Sequence, residues 1–244
     1  MFSKLSLKTK VIIFSIAAVI GIGIVVSVGI ENRRVTKNLE IIKNEEIKNK
    51  QMEKARKAEE EALKKKQEEE QKTKEDAKAQ EQQMVLEEKY EKSYNAFSSK
   101  KYSESIKLAD EAIKDDDKFY KAYNIKGIAQ CYAGKYIDGM KNIDKALELK
   151  PDYGYARFNK ALALELYGKY DESIQWYDKA LEVENFVWSH YGKASIYGRK
   201  GDVANTVKNL KIAIEMEAGV KEEAKKEKDF DKVRNSKEFQ ELVK

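Results

Sequence analysis

The chain has 244 residues, 37% of them charged and 41% hydrophobic, and its net charge of +5 is the small difference between 48 basic and 43 acidic side chains. One Pro, one Cys and one His leave no internal disulfide, no Cys/His metal cluster and no His-centred catalytic relay. The basic excess is too slight for a nucleic-acid footprint and no aromatic-plus-basic strand motif accompanies it, so no nucleic-acid partner is expected.

In chain order, residues 1–10 form a short basic tail that carries Lys4, Lys8 and Lys10 and no acid. Residues 11–30 read VIIFSIAAVIGIGIVVSVGI, without a charge. At a rise of about 1.5 Å per residue, such a helix crosses a hydrocarbon core of about 30 Å. The run is longer than the roughly 7–15 apolar residues of a cleaved signal peptide, and VSVGIEN is a poor cleavage site. An uncleaved, single-pass signal-anchor helix in the lipid bilayer is therefore expected. Arg33, Arg34 and Lys37 balance the basic residues ahead of the span. The acid-free amino tail tips the positive-inside rule toward a cytoplasmic amino end with the C-terminal domain outside the cytoplasm.

Residues 31–85 are a different material, as EKARKAEEEALKKKQEEEQKTKEDAKAQEQQ illustrates, with no Gly or Pro between Glu31 and Gln83. Glu46/Lys50, Glu53/Lys57, Glu60/Lys64, Glu61/Lys65, Glu68/Lys72 and Glu70/Lys74 place an acid four residues before a base, the order that supports an isolated helix. On one heptad register only Val35, Leu39, Ile42, Leu63, Ala77 and Met84 are apolar, interrupted by Glu53, Arg56, Glu60 and Glu70. The reading is a charged helical spacer, with a lone helix, a disordered linker and a homo-oligomeric coiled coil all open.

From residue 86 a period of 34 residues sets in. Tyr102, Tyr136 and Tyr170 recur at that interval, as do Ser105, Gly139 and Ser173, and Ala112, Ala146 and Ala180. A fourth copy follows a one-residue deletion, with Gly201, Val207, Ala213 and Ile214 at the places of Gly168, Ile174, Ala180 and Leu181. Ser93, Gly127, Ala161 and Ala194 supply a small residue at one place in the first helix of each unit. A period of this length marks a stacked-repeat architecture, here four units at about 86–119, 120–153, 154–186 and 187–217. Residues 218–244 carry Phe230, Val233, Phe239, Leu242 and Val243 among many charges, the material of capping helices over the last unit, and Ser236 reads as a helix N-cap.

The stretch AYNIKGIAQCYAGKYIDGMKNIDKALELKP, with its small residue, Gly-Lys-Tyr turn, further small positions and closing Pro151, resembles the tetratricopeptide repeat of bacterial membrane-anchored proteins. Lys100 in place of the turn Gly, Val203 in place of Tyr, and Asp117 and Asn185 in place of Pro depart from the pattern. The resemblance implies an all-α, right-handed superhelical solenoid of helix pairs over residues 86–217, here preceded by a transmembrane helix and a long charged helix. It also implies a concave face, lined by the first helix of each pair, that binds a peptide or partner protein. Helical spacing places Tyr90, Tyr94, Asn124, Ile128, Tyr155, Phe158, Leu162, Trp188, Tyr191 and Arg199 there. Relatives that clamp a C-terminal carboxylate use Lys, Asn and Arg, where this chain shows Tyr90, Tyr94 and Asn159.

No nucleophile with base and orienter, no phosphate-cradling Gly loop and no metal-ligand spacing is present. Catalytic, cofactor-binding and metal-binding residues are therefore expected to be none, and the chain is not read as an enzyme. His190 and Cys131 are read as structural. The order of the blocks predicts a membrane-anchored adaptor that recruits another protein. The alternative is a structural component that self-associates in a membrane assembly without a separate client.

Overall fold

The computed structural model describes residues 5–244; Lys4, in the expected basic tail, lies outside the described residues. The chain divides into two units, Met1–Ala77 and Lys78–Lys244. All regular structure among the described residues is helical.

Most of the first unit belongs to helix α1 (Leu7–Ser98). Every side chain of residues 11–30 is exposed, and α1 is the one described helix long and apolar enough to cross a membrane. The spacer is helical throughout, as its composition without Gly or Pro favours. Of the six acid-first ion pairs expected, Glu53–Lys57 forms, at 2.8 Å. Arg56 pairs forward with Glu60 at 3.2 Å, and Lys64 and Lys66 face Glu68 and Glu70 at 3.9 Å. In such alternating blocks an ammonium commonly has an acid on either side. Each exposed pair contributes only about 0.2–0.5 kcal/mol, which leaves the choice of partner open.

The second unit begins with the end of α1, which pairs with α2 (Tyr102–Asp115). The pairs α3 (Tyr120–Tyr132) with α4 (Tyr136–Leu149), α5 (Gly154–Leu166) with α6 (Tyr170–Leu181), and α7 (Val187–Lys200) with α8 (Val203–Met216) follow. The partners cross where the sequence keeps its small residues. Ser93 Oγ donates to the Ser105 carbonyl at 2.8 Å in the first pair, and Ser173 Oγ donates to the Ala161 carbonyl at 2.7 Å in the third. Ala194 and Thr206, both fully buried, hold the same places in the fourth. Gly127 and Gly139 occupy the second crossing, where a Cβ on either would lie within 2.7 Å of the other's carbonyl oxygen.

The same tight turn closes each pair. Gly134, Gly168 and Gly201 have φ of 81°, 75° and 78°, and Lys100 adopts 61° in the unit that lacks the glycine. The amide after each of them returns to the preceding helix, as Lys135 N does to the Gln130 carbonyl at 2.8 Å. This is the αL termination that glycine permits at least cost. A second ladder joins successive pairs: Lys126, Lys160 and Lys193 reach back to Asp110, Asp144 and Asp178 at 2.7, 2.5 and 2.5 Å. These bridges repeat the period of the sequence and fix the stacking register more than they add stability.

Apolar side chains fill the layers between pairs. Ile125, Ile128, Cys131 and Ile143 pack with Ala109 and Ala163, and so tie the first three pairs together. The tail contributes α9 (Val220–Lys226), a 3-10 turn (Lys228–Phe230) and α10 (Lys237–Val243). Its Val220, Phe230, Val233 and Phe239 pack with Ala194, Leu210 and Ala213 of the last pair. Ser236 Oγ accepts from Phe239 N at 3.3 Å and starts α10.

Candidate functional site

The odd-numbered helices of the second unit line two cavities. The first, about 480 Å³, is walled by Tyr90 and Tyr94 of α1, Lys121 of α3, Tyr153 and Tyr155, with Glu184 and Phe186 at its far side. The second, about 400 Å³, is walled by Phe158, Leu162, Glu165 and Leu166 of α5, Trp188, Tyr191, Ser195 and Arg199 of α7, Tyr132 and Tyr177, with Glu227 and Asp229 from the tail. Phe158 joins the two regions, stacked on Tyr155 at 5.9 Å and edge-on to Phe186 at 5.0 Å.

Eight of the ten side chains expected on the concave face line these cavities: Tyr90, Tyr94, Tyr155, Phe158, Leu162, Trp188, Tyr191 and Arg199. Asn124 and Ile128 do not. Both are fully buried, because α3 is packed by α2, α4 and α5, and the face that carries them is covered. Asn124 Oδ1 accepts from Asn159 Nδ2 of α5 at 3.1 Å, and Ile128 belongs to the core of the first three pairs. Spacing along one helix distinguishes its faces but not which face a neighbouring helix covers.

The exposed apolar surface of the groove is concentrated in a few groups. Tyr94 is 39% exposed, Trp188 37% and Leu166 47%. Trp188 packs edge-on against Tyr191 at 5.5 Å, which holds the indole while leaving part of it to solvent. Burial raises the phenols of Tyr153, Tyr155 and Tyr191, and that of Tyr132 to about 12, so these rings present neutral hydroxyls at neutral pH. Lys121 is held by both oxygens of Glu87, at 2.7 and 2.8 Å.

The second cavity contains a polar network that local sequence patterns do not disclose. Tyr177 Oη donates to Glu165 Oε2 at 2.7 Å, and Ser195 Oγ lies 2.9 Å from Glu165 Oε1. Ser195 Oγ also contacts Asp229 Oδ2, and Arg199 holds Asp229 Oδ1 at 2.7 Å. Burial pushes the Glu165 carboxyl up, against the hydrogen bonds from Tyr177 and Ser195. Gly192 makes room for the Tyr177 ring, since a Cβ there would lie 2.3 Å from it. Glu165, Ser195 and Asp229 are about one repeat apart in sequence, so only the stacking of units and the return of the tail bring them together.

Burial raises the Cys131 thiol to about 12, which keeps it protonated. His190 Nε2 sits 2.8 Å from Asn185 Oδ1, and burial lowers its pKa, so the ring is neutral. No cluster of three metal-ligating side chains occurs among the described residues.

No protein-family model matches the chain, and no curated protein matches it. Solved structures do. The type IV pilus biogenesis factor PilW aligns with a TM-score of 0.50 at 20% identity, over 65% of this chain and 78% of that one. YrrB, a TPR protein with an unusual peptide-binding site, gives 0.45 at 14% identity over 62% of this chain and 77% of that one. MamA of MSR-1 gives 0.43 at 21% identity over 55% and 78%. At such identities the likeness is one of fold. With the repeated turns, small-residue crossings and inter-pair ladder of its second unit, the chain is, by fold, a tetratricopeptide-repeat protein.

Proposed function

We propose that the chain is a membrane-anchored adaptor: residues 11–30 hold it in a bacterial cytoplasmic membrane, residues 31–85 act as spacer, and the repeats, outside the cytoplasm, bind an extended segment of a partner protein. The observation that carries this reading is the groove itself. Tyr94, Leu166 and Trp188 leave flat apolar surface open on rigid helices, the arrangement of an interface anchor. The exposed apolar stretch of α1 supports the anchoring.

A photo-crosslinkable residue placed at Tyr94 or Trp188 of the full chain in its native membrane is expected to trap one partner protein. The same residue at Ile137, which is 70% exposed and lines neither cavity, should not. Equal products from all three positions would count against the groove. A second reading, self-association through the spacer, is favoured by exposed Val35, Leu39 and Ile42 at heptad-like spacing. The charged residues that follow on that register leave only a short seam, and a crosslinked homodimer as sole product would support it.

A further inference from the structure

The end of the groove between α5, α7 and the 3-10 turn holds more acid than base. Arg199 is committed to Asp229 at 2.7 Å. Glu165 and Glu227 line the same cavity, and their side-chain hydrogen bonds come from Tyr177, Ser195 and the Lys228 amide, with no Lys or Arg among them. The Ser195 hydroxyl sits between Glu165 Oε1 and Asp229 Oδ2, in hydrogen-bond contact with both. A hydroxyl has one proton to give, so two carboxylates compete for it and one of the two oxygen contacts lacks a donor. The site is short of one proton or one cation. Beside it, Trp188 and Leu166 offer open apolar surface on which an aliphatic stem can lie.

We propose that this end of the groove takes a Lys or Arg side chain from an extended segment of the partner protein, its charged head on Glu165 and Glu227 and its stem along Trp188 and Leu166. The inference rests on the groove being a protein-binding surface and adds what the partner must bring. A guanidinium or ammonium brings N–H donors and an opposite charge to carboxylates whose present donors are uncharged, so the pair gains Coulomb attraction that a hydroxyl or amide cannot supply. An acidic segment meets repulsion at the same place. At the other end of the groove Lys121 is paired with Glu87 and Glu184 is the one further acid of the wall, so the excess of acid is greater at the Glu165 end.

The test uses the full chain in lipid nanodiscs and fluorescently labelled peptides of one Leu/Tyr/Gly frame with Arg, Gln or Glu at the central position. A fourth peptide copies residues 53–83 of this chain. The Arg peptide is expected to bind about tenfold or more tighter than the Glu peptide at physiological salt. Glu165→Gln and Glu227→Gln should each remove most of that preference, and Trp188→Ala should weaken all three designed peptides. Glu227 is exposed, so its variant carries the test should Glu165→Gln perturb folding. Equal binding of the three peptides, still lost on Trp188→Ala, would overturn the cation site and leave the groove reading in place. Binding of none would overturn both. An Arg preference indifferent to both Gln variants and abolished by salt would mark diffuse attraction and sink the proposal. Tightest binding of the 53–83 peptide would make a second copy of this chain the occupant and overturn it as well.

Discussion

Phe230→Ala is expected to lower the stability of the second unit by about 3–5 kcal/mol, the usual cost of truncating a fully buried aromatic ring. Phe230 is fully buried, tilted against Phe239 at 5.4 Å and edge-on to Tyr191 at 5.8 Å. It enters α7 where Gly198 leaves space: a Cβ on that glycine would come within 2.8 Å of the ring and 2.7 Å of the Asp229 carbonyl. A solenoid has no neighbour to cover its last pair, so the tail performs that function, and this ring is the point at which it locks. Trp176 and Trp188 are the only two tryptophans and both lie in the repeats, so denaturant unfolding followed by their fluorescence reports the second unit without interference from the spacer. A loss below about 1 kcal/mol, the ordinary range of surface substitutions and small repacking, would mean that the tail does not close the fold.

Gly139→Val should also destabilise, by about 3 kcal/mol, at the upper end of what overpacking costs. Replacing a helical glycine ordinarily gains stability through the unfolded chain. Here the added Cβ would sit 2.6 Å from the Gly127 carbonyl oxygen and 2.4 Å from Cys131 Sγ. Backbone cannot rotate away as a side-chain tip can, so α4 must withdraw from α3, which also disturbs the Ile128 and Ile143 packing behind it. The same fluorescence measurement checks the sign: a stabilised variant would show that the two helices do not cross at these glycines.

The crossing and turn positions were legible in the sequence because they depend on one residue each and recur with the period. Gly134, Gly168 and Gly201 needed φ > 0, and the small residues at Ser93, Gly127, Ala161 and Ala194 needed a partner helix at close range. Ser236 could be read as a cap because an N-cap is a local device. The groove was legible in part. Its aromatic positions follow helical spacing, but Asn124 and Ile128 share that spacing and lie under α5 or in the core, which only the stacking of neighbouring pairs decides. The network of Glu165, Ser195 and Asp229 had no local signal, since its members come from three elements and meet only after the tail folds back. Of the spacer's six acid-first pairs Glu53–Lys57 forms, while Lys64 and Lys66 face acids four residues further on, because exposed charges with several partners carry too little energy for any one pairing to be fixed.

The double variant Tyr94→Ala/Trp188→Ala in the full chain tests most directly whether the groove is the functional surface. Both rings are more than a third exposed, so the unfolding free energy should stay within about 1 kcal/mol of the parent while yield of the co-purified partner falls at least about tenfold. A variant that keeps its stability and captures its partner as well as the parent does would contradict the account and move the functional surface elsewhere on the repeats.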